Sequence, residues 1–253
     1  MTPVDPSLLR AERPKKLAEN VAAAILNYIT SNRLEPGAPL PSEANLLRMF
    51  GVGRGSLREA VRILEIHGLL SIRSGRYGGP VVGAVTGDRF GASTGMYLHA
   101  LGTTVQEVLE ARLTLEPALA HAAALRVHVE PAISEYLEPF ATENRRSRDQ
   151  VAELPFVPTP SDFHWALAEG LGNGPLRLMS HAMSEVYSHT AKGVVFLPAE
   201  ADAINRAHVD IAQAIVAGRA DDANRTMRDH LVQVHSVLED RYRELLPRRI
   251  PWP

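Results

Sequence analysis

Apolar residues recur every three or four positions along most of this chain, a rhythm that predicts helices. The first stripe, Leu17, Val21, Ile25 and Ile29, predicts a helix over about 16–31. Residues 32–41 break the period, with Pro36-Gly37 as a turn. Ser42 is placed to cap a short helix through about 50, and Gly51-Val52-Gly53 forms the next turn. A third helix is expected over about 54–67, ended by Gly68. Short β segments at 69–73 and 80–82 then flank a Gly-rich tip at 74–79. Helical spacing returns from 88 onward, with helices expected near 88–101, 104–126, 130–148, 161–171, 174–191, 200–217 and 221–245. Residues 155–160 read as a proline-bounded loop, and the proline-rich stretch 1–14 as a mobile arm.

This succession predicts a mainly α protein in two parts. A short helix, a tight turn, a second helix and a hairpin make a winged helix-turn-helix over 15–83. A Gly-bearing linker at 84–87 leads to an all-α antiparallel helical bundle over 88–246.

Charge sharpens the division. Residues 1–83 hold eleven Lys/Arg against seven Asp/Glu, and residues 84–253 hold sixteen against twenty-two. A basic first third and an acidic remainder suit one part that meets a polyanion and one that does not. No apolar run approaches the ~20 residues needed to span a membrane, and the N-terminal stretch lacks the apolar segment of a signal peptide. Cysteine is absent, which excludes disulfides and thiolate metal sites and makes a cytoplasmic location the expectation.

The third helix carries Arg54 and Arg58, one turn apart on one face, with Ser56 between them and Arg62 beyond. Arginine at the start of a groove-entering helix can fork onto guanine or onto phosphate, and Ser56 with the helix N-terminus can hold phosphate. Arg73 and Arg76 extend the charge onto the wing. Singly, each is a solvated surface arginine; together, in register with turn and wing, they point to double-stranded DNA.

In the second part, helical spacing sets His208 on a stripe with Ile204, Ile211 and Ile215, and His230 on one with Met227, Val234 and Val237. His164 stands between Phe163 and Trp165. A lone histidine on an apolar stripe is ordinarily a core residue, but imidazole also suits Zn, Ni or Fe. Arg112 could pair with Glu116 one turn on or bind a ligand carboxylate, and these readings stand equal.

Residues 16–82 resemble the DNA-binding domain of GntR-family transcriptional regulators. The motifs are PGAPLPSE at 36–43, FGVGRGSLREA at 50–60 and L-E-x-x-G-L at 64–69. The resemblance implies DNA contacts at Arg54, Arg58, Gly75 and Arg76, and Ser42 and Ser56 complete the candidate set. Where the family often has an arginine after Pro-Ser-Glu, this chain has Ala44.

Residues 88–240 are similar to the FCD ligand-binding domain of the FadR-like branch, on VLEARLTLEPALAHAAA at 108–124, DFHWALAEGLGNGPL at 162–176, and His208 with His230. The resemblance implies one divalent ion, Zn, Ni or similar, held by His164, His208 and His230. The family's aspartate four residues before the first histidine is Pro160 here. Asp162 is a poor substitute at two residues' distance and could instead cap a helix; the site is then three histidines plus water, or Glu116 or Asp210 fills the place. The resemblance also assigns Arg112 to the effector, a small carboxylate. Asn173 is a second candidate effector contact, with a capping or turn role as its alternative. His189 is a reserve ligand.

The expectation is thus an effector-responsive regulator, a repressor in most of the family, binding a palindromic operator as a homodimer. Alternatives are a regulator that senses the metal itself and one that answers acyl-CoA without a metal. An enzyme, such as a metal-dependent hydrolase, is disfavoured, since neither a nucleophile motif nor His-Glu-x-x-His occurs.

Overall fold

The structure, a computed structural model, describes residues 14–75, 78–85, 87–141, 160–191 and 193–251. Side chains of 14–15, 87–88 and 160–162 fall outside that description, as do the expected arm through residue 13, Arg76, the end of the helix expected over 130–148, and the loop 155–159. The fold is mainly α, with helices α1 (Pro14–Ser31), α2 (Glu43–Phe50), α3 (Arg54–Ile66), α4 (Gly87–Leu101), α5 (Val105–Arg126), α6 (Pro131–Ala141), α7 (Pro160–Gly170), α8 (Gly174–Thr190), α9 (Pro198–Val216) and α10 (Ala220–Arg241). Strands β1 (Leu70–Arg73) and β2 (Gly79–Val82) follow α3. The chain divides into two compact units, residues 1–89 and 90–253.

In the first unit α1 packs on α3. Val21 and Ile25 of α1 close over Leu57, Ala60 and Leu64 of α3, with Leu46 and Phe50 of α2 at the same core. The antiparallel hairpin pairs Leu70 with Val82 and Arg73 with Gly79. A third stretch joins the wing: Leu40 N–H donates to Pro80 O at 3.0 Å and Val82 N–H to Ala38 O at 2.9 Å. Sequence reasoning leaves 32–41 as a break around the Pro36-Gly37 turn, and prolines at 39 and 41 disfavour an interior strand. An edge segment tolerates them, since only one side of it must pair.

Gly51 ends α2 in the left-handed region (φ 62°), and its N–H donates to Leu47 O. A Cβ there meets open space, so substitution tests backbone strain alone. Gly51→Ala is expected to destabilise the first unit by about 1–2 kcal/mol, read as a lower urea midpoint in equilibrium unfolding. An unchanged midpoint would contradict the conformational role.

In the second unit α5 touches α7, α8, α9 and α10. Turns of three residues between α7 and α8 and between α9 and α10 force antiparallel neighbours, while α6 packs on α7 and α9. Phe163, Leu137, Ile133, Ile211, Ile215 and Met227 are fully buried in its main core. The start of α5 is closed twice. Thr104 and Glu107 form a capping box. The C-terminal stretch then supplies acceptors: Val105 N–H donates to Arg248 O at 2.9 Å and Gln106 N–H to Leu246 O at 3.0 Å. The side chain of Ile250 is buried there.

Candidate DNA-reading surface and buried histidine site

Arg54 opens α3 immediately after the turn, and Arg58 lies one helical turn on. Leu57, Ala60 and Leu64 take the buried face, which leaves the arginines outward with side chains 79% and 75% exposed. The two guanidinium Nε atoms lie 4.0 and 3.9 Å from the same Glu43 Oε1. Glu43 thus leans on both arginines across the α2–α3 turn, a contact invisible to motif reading because the residues belong to different helices. Such exposed pairs contribute little to stability. They do bias where the guanidiniums point.

Of the other candidates, the Ser42 hydroxyl accepts from Asn45 N–H at 3.4 Å as the cap of α2, and Ser56 is half-buried in the first turn of α3. Gly75 is at the exposed wing tip with φ 108°. Ala44 is exposed, so the position where the family often carries an arginine faces solvent without a charge.

In the second unit α7, α9 and α10 bring His164, His208 and His230 together, although 44 and 22 residues separate them along the chain. His208 Nε2 and His230 Nε2 are 3.2 Å apart, and His230 Nε2 and His164 Nε2 are 3.4 Å apart. All three rings are buried. Phe163 stacks on His208 at 4.4 Å between ring centroids, and His164 stacks on His230 at 5.4 Å. The rings are therefore fixed by packing.

The other side of His164 is also engaged: Nδ1 lies 2.6 Å from Glu116 Oε2. The second carboxylate oxygen, Oε1, accepts from Arg112 Nε–H at 2.6 Å, and Arg112 packs its guanidinium 4.0 Å from the centre of the Tyr187 ring. Burial disfavours the Glu116 carboxylate, but Arg112 and His164 outweigh it and hold the carboxyl far below its usual range. Burial likewise opposes the Arg112 charge, and Glu116 and Tyr187 more than offset it. The contact between Glu116 and His164 is close but is not aligned as a hydrogen bond; it places the Glu116 carboxylate on the Nδ1 side of the ring, with Nε2 toward the other histidines. His230 is pushed down to about 3, first by burial and then by His164 and Arg112. It is neutral near pH 7, and its Nδ1 is buried without a hydrogen-bond partner among the described residues.

The Nε2 pairs at 3.2 and 3.4 Å are at hydrogen-bond distance, so the space between them suits either a shared N–H or a common cation. A tetrahedral Zn site with Zn–N bonds of about 2.0–2.1 Å places its nitrogens roughly 3.3–3.4 Å apart. The donor set and these two separations fit a divalent ion of the borderline class.

The proposed substitutes for the missing aspartate fare differently. Glu116 sits on Nδ1 of His164, on the outside of the cluster, so it is not a fourth donor there. Asp210 is exposed, two residues from His208 and hence turned away from it. Asp162 lies in the first turn of α7, where Pro160 begins the helix, and its side chain is outside the described residues. His189 approaches Glu185 at 3.0–3.2 Å and is not one of the clustered histidines.

A cavity of about 280 Å³ adjoins the cluster. Arg112, the three histidines, Ser184 and Tyr187 form its polar side, and Val194, Phe196, Ile204 and Val234 its apolar side. Arg112 pairs with Glu116 and also lines the cavity. Asn173 is not among the lining residues; its Oδ1 accepts from Leu176 N–H at 3.2 Å and caps α8, the alternative role. Tyr187 and Ser184 escaped sequence reasoning. Both lie on α8, whose spacing shows a half-apolar face but not what that face meets.

A winged helix with outward arginines and a helical domain around a cavity with one polar side define a DNA-binding regulator with a ligand domain. The profile described as bacterial regulatory proteins, gntR family, matches residues 17–77, and that of the FCD domain matches 107–233. The chain belongs to the GntR family, with an FCD domain as its second part. It is a transcriptional regulator, not an enzyme. It is similar to the HTH-type transcriptional repressor NanR of Cronobacter sakazakii, at 30% identity over 88% of this chain and 85% of that protein. It is also 29% identical to an Escherichia coli protein whose name assigns it to an L-lactate dehydrogenase operon, over 94% of each chain. Among solved structures, a Streptococcus agalactiae GntR protein shares the fold, with a TM-score of 0.63 at 23% identity, covering 87% of this chain and 100% of that one. No helix among the described residues is long and apolar enough to cross a membrane.

Proposed function

We propose that this regulator represses transcription in the bacterial cytoplasm, binding a palindromic operator as a homodimer and releasing it when a small carboxylate effector enters the helical domain. On this reading Arg54 and Arg58 read the major groove, while Ser42, Ser56, Gly75 and Arg76 serve the backbone and the adjoining groove. A two-fold dimer would match a palindrome half-site for half-site. Repression is carried over from the NanR relative.

His164, His208 and His230 would hold one divalent ion, zinc or nickel, and the convergence of their Nε2 atoms is the observation that carries this part. When bound, the ion would supply an electrophilic anchor for an anionic ligand. Arg112 would add a guanidinium for the same carboxylate. Ser184 Oγ, buried on the cavity wall with no hydrogen-bond partner among the described residues, offers the effector a further polar contact. The cavity's size and polar side favour a small acid over a long acyl chain, because drug-sized ligands occupy about 300–1,000 Å³ and this cavity measures about 280 Å³.

Elemental analysis of the natively purified protein tests the metal site. About one divalent ion per chain is expected, and none in the His164→Ala/His208→Ala variant. A metal-free wild type would refute the site and return the histidines to the core.

A further inference from the structure

We infer that Glu116 is a positioning residue that ties the metal-facing histidine to the effector-facing arginine, so that the two halves of the cavity share one carboxylate. The inference rests on the metal-site reading above. Its observations are a 2.6 Å contact from Glu116 Oε2 to His164 Nδ1 and a 2.6 Å hydrogen bond to Oε1 from Arg112 Nε–H. Arg112 Nη2 also reaches Oε2, at 3.4 Å, so Arg112 and His164 bear on the same oxygen. Arg112, Glu116 and His164 are all buried, and water cannot screen one claim on the carboxylate from the other.

The consequence is electrostatic. A carboxylate on the Nδ1 side fixes the ring's orientation and makes Nε2 a better donor to a cation. A guanidinium drawing on the same carboxylate weakens that support. An anion engaging Arg112 would relieve the competition and strengthen His164 as a ligand. By reciprocity, a cation at Nε2 would pull Glu116 toward His164 and leave Arg112 freer for an anion. Glu116 thus gives metal and anion a positive coupling with no movement of either helix. Arg112 and Glu116 are one turn apart on α5, and α7 presents His164 to them.

The test uses zinc alone, on the full-length protein stripped of metal, with affinity measured by competition against a chromogenic chelator. Glu116→Gln keeps the shape and removes the charge. It is expected to weaken zinc binding by about 10–100-fold, the usual effect of losing such an outer carboxylate. Arg112→Met removes the competing claim and a nearby positive charge, and is expected to tighten zinc binding. A structural role alone would make both variants bind more weakly, in step with their loss of thermal stability.

A second readout is the ¹⁵N-imidazole NMR signature of zinc-loaded His164. Its Nδ1 proton is expected strongly deshielded in the wild type and shifted upfield in Glu116→Gln. If Glu116→Gln does not fold, Glu116→Asp, which keeps the charge but shortens the reach, is expected to show the same weakening and upfield shift. Equal zinc affinity in wild type and Glu116 variants, an unmoved His164 resonance, or weaker binding in Arg112→Met would overturn the inference and leave the metal site standing. A wild type that binds no zinc overturns both.

Discussion

Replacing His208 with alanine is expected to abolish metal-dependent stabilisation of the helical domain. His208 is 1% exposed, its Nε2 lies 3.2 Å from that of His230, and its ring stacks on Phe163 at the edge of the main core. Two effects therefore add. A ligand that binds only the folded state, at free concentration a thousand times its dissociation constant, stabilises by about 4 kcal/mol. Removing a buried ring also leaves a cavity, and truncating large buried side chains costs about 2–5 kcal/mol. Chelation separates the two. Thermal unfolding of the wild type should shift down on adding EDTA, while His208→Ala should start lower and not respond. A wild-type transition indifferent to chelator would sink the metal as a source of stability, and any loss in the variant would then be packing alone.

Charge-neutral replacement of Arg54 and Arg58 is expected to have the largest effect on DNA. Arg54→Gln and Arg58→Gln should each weaken operator binding by about 1–3 kcal/mol if the contact is to a base. The side chains are exposed and carry no core packing, so the fold should tolerate the change. A duplex selected by the wild-type protein from a random pool supplies the operator, with affinities compared on it and on an unrelated duplex across a salt series. A base contact loses affinity mainly on the operator. A phosphate contact loses it on both duplexes and reduces the salt slope by about one. Unchanged binding by both variants would remove α3 from the groove. Both guanidiniums lean on Glu43, so the two substitutions should not be additive.

Local patterns carried the reading furthest where chemistry and spacing coincide. Val21 and Ile25, at helical spacing, do bury against α3. Gly51 was legible because the left-handed end of a helix favours glycine, and the turn it makes has φ 62°. The stripes bearing His208 and His230 put both rings inward. The wing's third segment was not legible, since its pairing partner is some forty residues away and prolines flank it. Nor was the closing of α5 by the C-terminal stretch, whose acceptors come from Leu246 and Arg248.

By itself the sequence determined a winged helix followed by helices, the outward arginines, and three histidines on inward faces. These follow from periodicity and capping, which act over a few residues. Only the tertiary structure decided that the three Nε2 atoms converge, that Glu116 meets His164 on the Nδ1 side rather than inside the cluster, and that Arg112 both pairs with Glu116 and lines the cavity. Helical spacing gives the direction of a side chain about its own axis. The meeting of side chains from α5, α7, α9 and α10 depends on how those axes pack.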